Sequence, residues 1–233
     1  MSGGSGSPPQ VGHPRLHLRR IDSTNVRARE LAAAGAPHGT LVTAAEQTAG
    51  RGRQGRAWTA PPGRALLASL VIRDPPRLLP LAAGIAVAET AGPGASLKWP
   101  NDVLVEGRKV AGILVEGRPQ ERWAVLGIGL NVAVREHDFP PELRGRATTL
   151  GLQPAAIEPT LERLLGALSR WLAACDTEVL EAVRRRDALR GRPIRWGDRE
   201  GVGDGIDPAG RLLVRLADGS TVGLDAGEVH LAV

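Results

Sequence analysis

The stretch Gly50-Arg51-Gly52-Arg53-Gln54-Gly55-Arg56-Ala57-Trp58 sets three glycines, three arginines and a tryptophan within nine residues. Glycine reaches positive φ and lets a ligand approach the backbone. Arginine offers a planar, permanently charged fork for carboxylate or phosphate oxygens. A mobile loop that folds over an anion is written this way, and so is a solvated basic surface loop. Gly50, Gly52 and Gly55 also spell G-x-G-x-x-G, with Asp74 further on, the outline of a dinucleotide-binding fingerprint. Thr59-Ala60-Pro61-Pro62-Gly63 refutes that reading, because the helix the fingerprint requires cannot begin there. No Gly-Lys-Ser/Thr follows for a Walker loop. An anion bound here is held by a loop, without a helix dipole behind it.

The rare residues sharpen the picture. Of 30 lysines and arginines only Lys98 and Lys109 are lysine, and the asparagines are Asn25, Asn101 and Asn131 alone. Arginine serves wherever a generic cation suffices, so the two lysines mark places that need a compact ammonium. Both fall between residues 98 and 109, with Asn101 and Asp102 between them. Asn25 closes Ser23-Thr24-Asn25, and Asn131 closes Gly127-Ile128-Gly129-Leu130-Asn131.

The elements that position these groups follow from periodicity and turn chemistry. Leu16-His17-Leu18 reads as a strand, and residues 26–32 as a helix whose start holds Ser23 and Thr24, either as N-caps or as ligand-binding hydroxyls. Residues 39–45 and 65–72 read as strands on either side of the basic loop, and residues 78–91 as an alanine-rich helix ended by Gly92-Pro93-Gly94. Alternating runs flank Glu106-Gly107, the mark of a β-hairpin carrying Lys98, Asp102 and Lys109. Asp102 as a turn-capping carboxylate is the plainer reading. Residues 123–132 form a further strand, whose glycines signal close approach by something flat, a ligand among the options. Residues 159–175 and 179–189 are amphipathic helices. Beyond residue 189 the texture turns to short strands and tight turns, with Asp218-Gly219 a strong hairpin signal.

Composition bounds the class. The chain has 233 residues, 42% hydrophobic, net charge +5 and one cysteine. No long apolar run exists, so a soluble globular protein with no membrane segment is expected. The single cysteine, Cys175, lies in an apolar helical run and reads as buried filler in a reducing cytoplasm. The basic charge is spread along the chain without a helix-turn-helix or zinc spacing, so no nucleic-acid partner is expected.

Taken together, Ser23-Thr24-Asn25, Gln47 with GRGRQGRAW, KWPNDVLVEGRKVAGILVE and GIGLNV resemble the biotin protein ligases. The stretches occur in that family's order, and the resemblance extends over residues 16–233. It implies an α+β fold: a mixed sheet with flanking helices, like the class II aminoacyl-tRNA synthetases, followed by a small C-terminal SH3-like β-barrel. The expected division is a flexible tail over residues 1–14, a catalytic domain over 15–188 and the end domain over 189–233. The stretch before Leu16 is too short for the DNA-binding winged helix of the family's repressor members.

The resemblance implies that biotin's carboxylate attacks the α-phosphorus of ATP to give biotinyl-5′-adenylate, with Mg²⁺ neutralising the phosphates. A lysine of a biotin carboxyl carrier domain then takes the acyl group. It assigns catalysis to Lys109, Arg51, Arg53 and Asp102, the last as a metal ligand or an orienter of the amine. Biotin falls to Ser23, Thr24, Asn25, Gln47, Gly50, Arg51, Gly112, Gly129 and Leu130. ATP and the adenylate fall to Arg53, Arg56, Trp58, Lys98, Asn101, Lys109 and Asn131. A cytoplasmic monomer or homodimer is expected. The alternatives are a lipoate-protein ligase of the same chemistry and a non-catalytic module that binds a nucleotide or nucleic acid. The hydroxyls and amides of Ser23, Thr24, Asn25 and Gln47 favour a ureido ring over a dithiolane.

Overall fold

The computed structural model describes residues 11–225 and 227–231. Its main layer is a seven-stranded mixed sheet in the order β1-β2-β3-β7-β6-β5-β4. The strands are β1 (Arg15–Leu18), β2 (Leu41–Ala44), β3 (Ala65–Arg73), β4 (Ala95–Lys98), β5 (Asp102–Val105), β6 (Arg108–Arg118) and β7 (Trp123–Asn131). Only the β1–β2 pair is parallel. Glu106 and Gly107, at φ 51° and 74°, make the tight left-handed turn that joins β5 to β6; glycine adopts it freely, whereas Glu106 takes it up against its ordinary preference.

Strand alternation divides the sheet into two faces. Leu66, Leu70 and Ile72 of β3, Leu126, Ile128 and Leu130 of β7, and Ala111 and Ile113 of β6 point to one side. There they pack with α2 (Leu79–Ala91) and α3 (Ile157–Ala173) in the main core. Val71 and Val125 point to the other side, against Ala28 and Ala32 of α1 (Thr24–Ala33). Helix α1 covers only the first rows of that face. Past its N-terminus the same face carries Ser69, Gly127 and Leu114 in one cross-strand row. The next row is Leu18, Ala44, Leu67, Gly129, Gly112, Asp102 and Lys98, one residue from each of the seven strands.

A second, five-stranded antiparallel sheet follows α4 (Asp176–Arg186), in the order β11-β10-β9-β8-β12. Its strands are β8 (Pro193–Trp196), β9 (Arg199–Ile206), β10 (Leu212–Arg215), β11 (Thr221–Leu224) and β12 (His230–Leu231). Ile194, Ile206, Leu212 and Val214 share one apolar cluster with Leu78, Leu81 and Ile85 near and in α2, Trp99, and Val179 and Val183 of α4. The small sheet therefore rests on the larger unit through a continuous core.

Two expectations need comment. Residues 1–10 of the expected tail lie outside the described residues, as do Ala226 and residues 232–233 of the end domain. Val11 is buried in the main core and Gly12 donates to Gly39 O, so order begins before residue 15. Cys175 is exposed, contrary to its reading as buried filler. The helical run breaks there: Cys175 is the N-cap of α4, with its backbone N–H donating to Glu178 Oε2 at 2.9 Å.

The segment after α4 lies alongside the sheet's edge strand, with Ala188 N–H donating to Leu97 O. Asp187 is drawn into this seam. Its Oδ1 accepts from Leu189 N–H at 2.8 Å, while its buried Oδ2 has no partner. Burial raises its pKa, opposed by backbone N–H groups and Arg190. A raised carboxyl pKa means that the folded state holds the proton more tightly than the unfolded chain. Stability from this group falls as pH climbs from the ordinary carboxylate value through the raised one. Asp187→Asn keeps the Oδ1 acceptor and removes the buried charge. We expect it to raise Tm at pH 7 by about 2–4 °C, the shift that about 1 kcal/mol makes in a chain of this size. The gain should vanish at acidic pH; calorimetry showing an equal gain at every pH would refute the charge argument.

Candidate active site

The cationic end of the site is built by strand register. Asp102 on β5 stands opposite Lys98 on β4 and opposite Gly112 on β6. Lys109 is three residues from Gly112, and simple alternation would place it on the opposite face. A bulge intervenes: pairing shifts between Val103 and Leu104, so that Val103 faces Ala111 and Leu104 faces Lys109. Both Val110 and Ala111 then point into the main core, and Lys109 shares the face of Gly112. Lys109 Nζ lies 2.6 Å from Asp102 Oδ1, and Lys98 Nζ lies 3.8 Å from Asp102 Oδ2. Burial lowers the Lys98 pKa; Asp102 opposes that shift and Lys109 adds to it.

The basic loop folds back on this group as a small hairpin. Arg51 bridges to Ala57, Gly52 N–H donates to Arg56 O at 2.7 Å, and Gln54 and Gly55 turn at φ 55° and 74°. Arg53 donates to Asn101 Oδ1 at 3.1 Å and to Gly227 O at 3.4 Å. Arg56 pairs with Glu228 at 2.6 Å. Asn101 is itself held by exchange with Ile113: its Nδ2 donates to Ile113 O and its O accepts from Ile113 N–H. Burial lowers the Arg53 pKa, against the pull of Asp102. Arg53, Arg56, Lys98 and Lys109 thus meet Asp102 and Glu228, four cations against two carboxylates, an excess suited to an anion. Arg51 is exposed at the rim of a cleft of about 610 Å³ lined by residues 49–57, Leu114 and Glu116.

Gly112 and Gly129 form a floor, and the Trp58 indole covers it. A Cβ on Gly129 would fall inside the indole, and one on Gly112 would lie 3.1 Å from the indole and 3.3 Å from Lys109 Nζ. Lys109 Nζ sits 5.8 Å from the indole centroid. The flat group that these glycines admit in this structure is therefore the chain's own tryptophan. Gly127 admits another of the chain's groups, the Asn25 amide.

Beyond the floor lies a buried polar cluster. Ser23 is the N-cap of α1 but its side chain caps nothing. Thr24 donates to Gln47 Oε1 from its backbone N–H at 2.7 Å, and its hydroxyl lies 3.0 Å from the same oxygen. Ser69 Oγ lies 2.8 Å from Thr24 Oγ1 and 2.6 Å from Asn25 Oδ1. Asn25 Nδ2 donates to Glu116 Oε2 at 2.8 Å.

Several of the expected residues have partners within the chain. The Leu130 side chain is wholly buried in the core on the opposite face, so only its backbone borders the site. Asn25 has both ends of its amide engaged by the chain. Asn131 spends its Nδ2 on Thr148 O at 2.9 Å. Asp102 faces two ammonium groups. Ser69 and Glu116 carry no signal in the sequence, because a serine or glutamate in an alternating strand is ordinary; Glu228, in the stretch Gly227-Glu228-Val229 that resembles the family's end domain, meets the basic loop through Arg56. Among the described residues no helix is long and apolar enough to cross a membrane.

The profile of the biotin/lipoate A/B protein ligase family matches residues 17–132. The chain is 38% identical over 241 residues to the biotin–[acetyl-CoA-carboxylase] ligase of Paracoccus denitrificans, covering 91% of this chain and 98% of that one. It is 44% identical over 152 residues to the bifunctional ligase/repressor BirA of Bacillus subtilis, and there the match spans about half of the relative's length, 47%. The biotin protein ligase of Aquifex aeolicus in complex with biotin and ATP superposes with a TM-score of 0.79 at 27% identity, over 95% of this chain and all of that one.

The overlap between a Gly129 Cβ and the indole makes a direct test. Gly129→Ala should expel Trp58 from the floor, red-shift tryptophan emission and destabilise the fold by about 1–3 kcal/mol, as overpacking does. The shift should disappear when the same change is made in a Trp58→Phe background. Unaltered emission in Gly129→Ala would contradict the placement of the indole.

Proposed function

Because the chain belongs to the biotin protein ligases of the biotin/lipoate A/B protein ligase family, we propose that it activates biotin with ATP and transfers it to a lysine of a carrier protein. The observation that carries this reading is the single sheet face on which a buried polar cluster, a glycine floor and a cationic end follow one another. A flat ring, an aliphatic tail and a carboxylate follow in the same order along biotin.

In the first step a carboxylate oxygen attacks the α-phosphorus of ATP, and the bond to the β-phosphate oxygen breaks to release pyrophosphate. Two anions must be brought together, so cationic positioning dominates the barrier. Lys109 is the group we assign to the carboxylate and α-phosphate, with Arg53, Arg56 and Lys98 on the remaining phosphate oxygens and Arg51 at the rim. Asp102 holds both ammonium groups in place. In the second step the carrier's lysine amine attacks the acyl carbon, loses a proton, and AMP leaves. Trp58 shields the floor from water.

Magnesium enters with ATP as the counter-ion of its phosphates. Thr24 and Gln47 are the groups assigned to the ureido ring, and the fit of a ring that donates N–H bonds disfavours lipoate. The small C-terminal sheet is read as an SH3-like module, and the large sheet as a relative of the class II aminoacyl-tRNA synthetase fold. A cytoplasmic setting suits the need for ATP.

Purified protein with ATP, MgCl2 and biotin should form biotinyl-adenylate and label a carrier domain. Activation of lipoate in place of biotin would overturn the assignment. Lys109→Arg preserves the charge but not the compact ammonium between Asp102 and Trp58. It should slow adenylate formation about 100-fold or more, the scale of losing one preorganised charge donor; turnover within threefold of the parent would sink that role.

A further inference from the structure

The mixed anhydride proposed above acylates any amine that presents a lone pair, so the chain's own ε-amines bear on where the acyl group goes. The chemistry is the same as with a carrier's lysine. A neutral amine nitrogen bonds to the acyl carbon, the bond from that carbon to the phosphate oxygen breaks, and AMP leaves with the electron pair. The nitrogen then gives a proton to water, and an amide remains.

Few groups in this chain could take part. Its 233 residues include two lysines, one cysteine and no tyrosine, and every other basic side chain apart from the histidines is an arginine. A guanidinium stays protonated and presents no lone pair. Lys109 Nζ lies 2.6 Å from Asp102 Oδ1, and Lys98 Nζ lies 3.8 Å from Asp102 Oδ2. Each is held there as an ammonium, which donates three hydrogens and accepts nothing. Exposed Cys175 follows α3, the helix packed on the opposite face of the large sheet. The cations that line the cleft are Arg51, Arg53 and Arg56, and Arg29 stands beside Glu116 on the same wall. They draw an anion in, and none of them can take its acyl group.

We propose that this arginine-only exterior protects the protein from acylating itself, so that the acyl group stays on AMP until a partner brings a lysine into the cleft. This rests on the ligase reading above and concerns the fate of the adenylate between the two steps. Lysine ranks among the commonest residues of soluble domains and carries the same charge as arginine. Charge alone therefore does not account for an exterior without it. What arginine adds at the cleft is charge without a nucleophile, beside a product that any free amine would consume.

The experiment incubates the full chain with biotin and MgATP, without a carrier, at mildly alkaline pH, where a surface lysine has more of its neutral form. Adenylate is quantified, and biotin on ε-amines is located by peptide mapping. Wild type should accumulate adenylate and carry no biotin on Lys98 or Lys109. Ala57→Lys places an amine on the cleft wall, at an exposed position that meets Arg51 through its backbone. Arg29→Lys places a second amine nearby, on α1, with the charge unchanged. Each variant should carry biotin on its new lysine at about tenfold or more the ε-amine labelling of wild type, since proximity to the anhydride drives the capture. Adenylate yield in each variant shows that its site is intact, and either variant that forms adenylate decides the matter. Biotin on Lys98 or Lys109 of the wild type would overturn the proposal. So would adenylate formed without biotin on the new lysines, because a lysine at the cleft would then be harmless. A wild-type protein that forms no biotinyl-adenylate would instead overturn the ligase reading itself.

Discussion

Two ammonium groups share one carboxylate near the edge of the large sheet, and much of the site depends on that arrangement. Lys109 and Lys98 both approach Asp102, in surroundings dry enough to lower the Lys98 pKa. Without the carboxylate, the two like charges would repel each other uncompensated. With it, a net positive charge remains on a rigid sheet, aimed by backbone pairing and not by flexible stems. The bulge at Val110 is the local cost of that aim, since it is what turns Lys109 to the face of Asp102.

One face of the sheet does several jobs because α1 stops short of covering it. Where the helix lies, valines pack against its alanines. Where it begins, its first residues meet Gln47 and Ser69 and make a polar strip. Past it, Gly129 and Gly112 keep the sheet flat enough for an indole to lie on it. The order of chemistry along the face is thus the order of the rows, and a ligand matched to it needs a polar head, a thin middle and an anionic end.

The rare residues were the most legible part of the sequence. A chain that writes arginine nearly everywhere kept lysine at two places, and those two meet on one carboxylate. Glu106-Gly107 announced its hairpin through the positive φ that only such turns demand. Less was readable where the fold brings distant strands together. The glycines of β7 signalled a close approach, but sequence cannot say that the approaching groups are Trp58 and Asn25, from 71 and 102 residues away by number. Ser69 and Glu116 sit in ordinary alternating strands and gain meaning only through cross-strand register. Cys175 looked buried because the apolar period runs on to it, while the helix ends just before.

The end sheet is more than an appendage to this site. Gly227 and Glu228 reach the basic loop through Arg53 and Arg56, and the sheet that carries them is held against α2 and α4 by a shared apolar core. The packing fixes where Glu228 stands, since buried apolar contact is strong and short-ranged. The ion pair itself is half-exposed, with side chains 57% and 32% accessible, and such pairs contribute about 0–1 kcal/mol. A strong interface therefore presents a weak contact: the end sheet defines where the loop rests over the lysines without holding it there against a phosphate that would bind the same arginines.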